Sequence, residues 1–151
     1  MKIASVIVAG MLTGMMFSSA NAQSPQSQTE RNKVLVLDFW RVVFEAQNAE
    51  AANNYLAEDY IQHNPNVKSG RAGFVDFFSK MWKQPKPVEA TLRNQPALVV
   101  AEGDLVTLVW KRQLPEPTDT TKRYEAFWFD VMRVKDGKLA EHWDNATKPT
   151  K

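Results

Sequence analysis

The sequence predicts an α+β domain, with three N-terminal helices packed on one face of a mostly antiparallel sheet. Two observations predict it. Apolar residues follow a helical spacing through the first half of the chain, and the period switches to two after Pro87. The strand-like runs are joined by short turn signals, "EGD" and "KDG", so consecutive strands become neighbours.

The chain begins with a segment of a different kind. Lys2 is followed by an uncharged apolar run from Ile3 to Phe17, then by Ser18, Ser19 and "ANA" at residues 20–22. A positive start, a short apolar stretch and small residues before a cut make a secretory signal peptide, with cleavage expected after Ala22. The run is too short for a comfortable membrane span. After cleavage no membrane association is expected, and the destination is the periplasm or the medium. The sequence has no cysteine. This excludes disulfides and a lipid-modified cysteine, although an oxidising compartment permits disulfides. The formal charge of +2 is close to balance, and Lys and Arg are scattered, so no nucleic-acid partner is expected.

Residues 23–32, "QSPQSQTERN", are polar and predict a disordered lead. The domain is expected over residues 33–148. Val36, Phe39, Trp40, Val43 and Phe44 share one face of a first helix. Asn48 is placed to cap a short second helix through "AEAANNYLA". "DYIQHNPNVKSG" contains Pro65 and predicts an irregular segment. Ser69 then looks like the N-cap of a third helix, on which Phe74, Phe77, Phe78, Met81 and Trp82 form an apolar face. "QPKP" ends it. Strands are expected over 88–93, 97–102, 104–114, 122–134 and 138–145, with "PEPTDTT" as a polar loop between the third and fourth.

The last hairpin holds the candidate chemistry. If Asp136 and Gly137 form a two-residue loop, Asp130 faces Trp143, and Asp130 and His142 lie on opposite sides. If Lys135, Asp136 and Gly137 form a three-residue loop, Asp130 comes opposite His142 and Trp128 opposite Asp144. The second register is expected. It gives one face of Phe127, Phe129, Val131, Leu139 and Trp143, and another of Trp128, Asp130, Met132, Ala140, His142 and Asp144. Two carboxylates and an imidazole among apolar neighbours suit proton transfer. A structural Asp–His pair satisfying buried polar groups is the competing reading.

"DYIQHNP", "VVAEGDLV" and above all "DVMRVKDGKLAEHWD" resemble, in order from about Lys33 to Asp144, the polyketide-cyclase-like (SnoaL-like) family of the nuclear-transport-factor-2-like (NTF2-like) superfamily. The branch it resembles is that of predicted aldol-condensation enzymes. The resemblance implies a cone: a curved sheet around a pocket closed by helices. It implies Asp144 as acid/base, Asp130 sharing the pocket from the preceding strand, His63 and Asn64 at the pocket mouth, and pairing into a homodimer through the outer sheet face. That face is expected to offer Phe127, Phe129 and Trp143. Relatives often carry histidine on the third strand, where this chain has Trp110, Lys111 and Arg112.

The expectation is an enzyme acting on a small apolar carbonyl compound by proton abstraction, in an aldol cyclisation or an isomerisation. Asp144 is the candidate base, with His142 or Asp130 serving the enolate oxygen or returning a proton. Trp40, Trp128 and Phe74 are expected to line the pocket. No cofactor is required. His63, His142 and a carboxylate form a conceivable metal triad, but no local ligand spacing links them, and no metal is expected. The alternative is a non-catalytic ligand-binding or interaction module.

Export is tested by N-terminal sequencing of the protein recovered from its native host. The first residue is expected at or near Gln23; an intact Met1 on a soluble cytoplasmic product contradicts it.

Overall fold

The computed structural model describes residues 26–149, so the expected signal peptide lies outside the described residues. Helix α1 spans Gln28–Phe39 and runs on as a π-helical segment, Trp40–Glu45. A 3-10 turn, Glu50–Asn54, leads into strand β1, Leu56–Gln62. Helix α2 covers Arg71–Met81. Strands β2 (Leu98–Glu102), β3 (Leu105–Glu116), β4 (Asp119–Lys135) and β5 (Lys138–Asp144) complete the fold. The sheet order is β1-β5-β4-β3-β2. Three of the pairings are antiparallel, but β1 runs parallel to β5, so the sheet is mixed. Two α-helices and a 3-10 turn stand where three helices were expected.

The polar lead is ordered from Gln28 onward, contrary to expectation. Ser27 caps the helix by accepting from the Glu30 amide. Asn32 is buried, and its Nδ2 donates to the Gly103 carbonyl at 3.1 Å, which ties the first turns of α1 to the β2–β3 connection. Further along α1, Val36, Phe39 and Val43 are fully buried against Leu56, Tyr60, Phe74, Val106, Leu108, Met132 and Leu139. Asn48 caps as its position suggested, accepting from the Ala51 amide at 3.1 Å. Ser69 does not cap α2. Gly70 holds that position, and the Ser69 hydroxyl bonds the backbone of Gln62 instead. On α2, Phe74 is buried while Met81 is 57% exposed, so the apolar face is narrower than its sequence pattern.

Two further expectations change. "DYIQ", expected to be irregular, belongs to β1, because β5 supplies a backbone partner: Gln62 aligns with His142, and the His63 amide donates to the His142 carbonyl. Residues 88–93 form no strand. Backbone groups of that stretch and of Asn94 beside it go to side chains of the π-helical segment: Arg41 donates to the Glu89 carbonyl, and Glu45 accepts from the amides of Arg93 and Asn94. "PEPTDTT" is not a long loop either, since β3 and β4 extend to a turn at residues 117–118.

The final hairpin follows neither simple register throughout. Lys135 pairs with Lys138 around a two-residue turn, with φ of 51° at Asp136 and 71° at Gly137. Left-handed backbone at both positions is what such turns require, and glycine adopts it at least cost. Val134 then pairs with Leu139, but Arg133 pairs with Glu141, so Ala140 is an extra residue, a β-bulge. Beyond it Met132 faces His142, Val131 faces Trp143 and Asp130 faces Asp144. The expected pairings of Asp130 with His142 and Trp128 with Asp144 are therefore corrected.

Candidate functional site

The inner side of the sheet, facing the helices, carries Val106, Leu108 and Trp110 from β3, Trp128, Asp130 and Met132 from β4, and His142 and Asp144 from β5. A cavity of about 240 Å³ lies over Trp128, Asp130, Met132, His142 and Asp144, and Trp40, Phe74 and Phe78 close it from the helical side. The π-helical segment aims two of its rings there: Trp40 stacks on Phe44, with centroids 4.3 Å apart, and on Trp110 at 5.0 Å.

Asp130 is buried to 3% exposure and receives three N–H donors. Trp110 Nε1 donates to Oδ2 at 2.8 Å, Trp128 Nε1 to Oδ1 at 3.2 Å, and His142 Nε2 to Oδ1 at 2.9 Å. The second ring nitrogen of His142, Nδ1, lies 2.8 Å from Gln62 Oε1. That oxygen also accepts from the Asn64 amide at 3.0 Å, and an amide only donates, so the glutamine oxygen is turned toward the ring. Both imidazole nitrogens thus face acceptors, Asp130 Oδ1 on one side and Gln62 Oε1 on the other. Every donor and acceptor of this chain is engaged, which a low-dielectric interior demands.

Asp144, directly across from Asp130, is less committed. Its Oδ2 accepts from Asn64 Nδ2 at 2.7 Å and its Oδ1 from the Ala146 amide at 2.9 Å, and its carboxylate borders the cavity. Tyr60, fully buried on the same wall, accepts weakly from Gln62 Nε2 at 3.4 Å. Burial, and then the nearby charges of Asp130 and Asp144, push its phenol far above its ordinary range, so it stays an O–H donor.

Of the residues expected at the site, Asp130, His142, Asp144, Asn64, Trp40, Trp128 and Phe74 border this one cavity. His63 does not. It lies on the outer sheet face, stacked parallel on Trp143 at 4.9 Å, with Nε2 donating to Glu141 Oε1 at 2.7 Å. The alternation of β1 sends Gln62 inward and His63 outward. The bond from His63, aided by Arg133 Nε at 3.0 Å, holds the Glu141 carboxyl below its ordinary range. A metal triad using His63 is therefore not formed. Ligand atoms of Asp130, His142 and Asp144 do lie within 4.8 Å of one another. An ion there must displace the His142–Asp130 bond and meet two indole N–H groups, so the set is arranged for a proton and not for a cation.

Tyr60, Gln62 and Arg112 also border the cavity and were not singled out by the sequence as site residues. Tyr60 and Gln62 are two apart, the signature of one strand face, but Pro65 and the asparagines beside them masked the strand.

The SnoaL-like domain description matches residues 36–142. Among solved structures, a protein designated a polyketide cyclase from Acidithiobacillus ferrooxidans is similar at 20% identity and a TM-score of 0.54, over 79% of this chain and 89% of that one. An NTF2-like protein of unknown function from Mesorhizobium loti is 18% identical at a TM-score of 0.54, over 83% and 98%. TerC, co-crystallised with polyporic acid, is 17% identical at a TM-score of 0.54, over 78% and 92%. At these identities the likeness concerns the fold. No curated protein matches the sequence. A match over residues 36–142, more than half of the chain, places this protein in the SnoaL-like family.

Proposed function

We propose that this protein is an exported enzyme that removes a proton next to a carbonyl in a small apolar substrate, leading to aldol ring closure or isomerisation. The observation that carries this reading is the pair of facing carboxylates at the wall of an aromatic cavity, one fully engaged and one not. Asp130 holds three N–H donors, whereas Asp144 holds two and fronts the cavity. The Asp144 carboxylate takes the α-proton. The enolate oxygen that results accepts a hydrogen bond from the Tyr60 O–H, a preorganised donor in a dry site. In the aldol case the enolate carbon bonds to a second carbonyl carbon of the same molecule, and the new alkoxide takes back the proton from Asp144. In isomerisation the proton returns to another carbon. Either way Asp144 ends as a carboxylate. Both His142 nitrogens are occupied, so His142 and Asp130 act as positioning residues that fix the strand ends and hold charge near Asp144.

The completeness of the Asp130 network also suits a non-catalytic binding module, in which the polar groups only orient a ligand. Asp144→Asn separates the two. The exchange of the α-protons of β-tetralone with deuterated water, followed by NMR, is expected to fall by about a hundredfold or more, the usual scale for loss of a general base. The melting temperature and the affinity for β-tetralone, read from tryptophan fluorescence, are expected to stay close to wild type. Exchange at the wild-type rate in this variant contradicts the enzyme reading and favours the module. A joint loss of stability and binding marks Asp144 as structural.

We also propose a homodimer formed through the outer sheet face. Phe127 and Phe129 are 45% and 44% exposed there beside Leu98 and Val100, an apolar patch too large to leave in water. Trp143, expected in this patch, is instead flanked by His63 and the Arg133 guanidinium, 5.5 Å from its ring. Sedimentation at micromolar concentration is expected to show a dimer that Phe127→Asp shifts to monomer; a wild-type monomer rejects the pairing.

A further inference from the structure

A second, larger hollow of about 1020 Å³ adjoins the inner cavity and shares Trp40, Phe44 and Arg112 with it. The two spaces differ in chemistry. The inner one is ringed by aromatic side chains around the acidic pair. The outer one is lined by Lys86, Arg93 and Arg112, with Glu45 as the acidic side chain on its wall. Glu45 is already committed, since its two oxygens accept from the amides of Arg93 and Asn94 at 2.8 and 2.7 Å. Lys111, also at this rim, pairs with Glu125. Among the described residues, Lys86, Arg93 and Arg112 form no ion pair. The outer hollow therefore holds three cationic side chains that pair with no carboxylate, against the single acidic side chain of Glu45.

Arg112 is the residue that joins the two spaces. It lies on the inward-facing row of β3, two residues beyond Trp110, whose indole holds Asp130. Its guanidinium sits over the Trp128 ring, 5.5 Å from the centroid, and that stacking limits its freedom. A stacked guanidinium keeps its planar N–H fork free for a carboxylate, the geometry in which arginine surpasses lysine. An inner cavity of about 240 Å³ holds little more than a small ring system, so any larger substrate extends past Trp40 into the cationic hollow.

We propose that the substrate is a carbonyl compound bearing a carboxylate, with its reacting carbonyl in the inner cavity and its carboxylate on Arg112, supported by Arg93 and Lys86. This rests on the reading of the inner cavity as the reaction site and adds to it the substrate class. The anion also has a steering role. Two carboxylates at the cavity floor repel an anionic substrate, and the cations at the rim offset that repulsion while fixing which end enters first.

The test compares β-tetralone carrying a ring carboxylate with its isosteric, neutral carboxamide, using tryptophan fluorescence for affinity and NMR for α-proton exchange. The carboxylate is expected to bind about tenfold tighter at low salt, a margin matching one charge-assisted contact, and the margin is expected to shrink as salt is added. Arg112→Gln is expected to bring the ratio close to one, and the double variant Lys86→Gln/Arg93→Gln to reduce it. Lys80→Gln, which removes an exposed cation paired with Asp76 on α2, controls for net charge and leaves the ratio unchanged. Equal affinity for both compounds in the wild-type protein overturns the proposal, as does a ratio that survives both sets of substitutions. Anion preference without α-proton exchange supports the cationic subsite while rejecting the enzyme reading. Exchange of both compounds at equal rate and affinity does the reverse.

Discussion

Between Leu139 and His142 strand β5 carries one residue more than β4 does opposite it, and Ala140 is the surplus. Regular alternation from Leu139 would turn Glu141 and Trp143 inward and His142 and Asp144 outward. The bulge resets the alternation, so Leu139 fills the core at one end of the strand while His142 and Asp144 reach the cavity at the other. Glu141 is thereby free to hold His63 and Arg133 on the outer face. The polar contacts that His142 and Asp144 make in the site depend on this one insertion, and a bulge beside a site is a recurrent way of re-aiming side chains.

The second constraint is electrostatic. A carboxylate as buried as Asp130 is tolerable only with its lone pairs satisfied, since an unpaired buried charge costs several kcal/mol. The donors come from different strands: Trp110 from β3, Trp128 from β4 and His142 from β5, with Gln62 of β1 behind His142. The order β1-β5-β4-β3 sets these residues side by side. The parallel β1–β5 pairing, which makes the sheet mixed, is thus also what brings Gln62 to the imidazole and Asn64 to Asp144. Asp130 is engaged by three donors, which leaves the neighbouring Asp144, with two, as the less committed carboxylate at the cavity.

Much of this was legible in the sequence because it follows from periodicity. The alternation of Trp128, Asp130 and Met132 placed Asp130 inward, and the helical spacing of Val36, Phe39, Trp40, Val43 and Phe44 gave the face that meets the sheet. The grouping of Asp130 with His142 and Asp144 was read from the right face pattern but through the wrong turn. A three-residue loop and a two-residue loop followed by a bulge shift the alternation by the same parity, and composition does not distinguish them. β1 was hidden because its pairing is long-range: the partner of "DYIQ" lies some eighty residues later, so local turn signals around Pro65 prevailed. His63 was placed at the pocket mouth by the resemblance, and with β1 unrecognised there was no alternation to send it outward. The lead residues were read as loose from polarity alone, whereas Asn32 is buried by a tertiary bond to Gly103 that no local pattern announces.

The most direct test of the central claim, that the inner cavity is where a carbonyl meets Asp144, is a crystal structure of the Asp144→Asn protein with β-tetralone bound. The account predicts the ring between Phe74 and Trp128, the carbonyl oxygen within hydrogen-bond distance of the Tyr60 hydroxyl, and the α-carbon facing the side chain at position 144. A ligand on the outer sheet face, or one in the cavity with its carbonyl turned away from both residues, contradicts it.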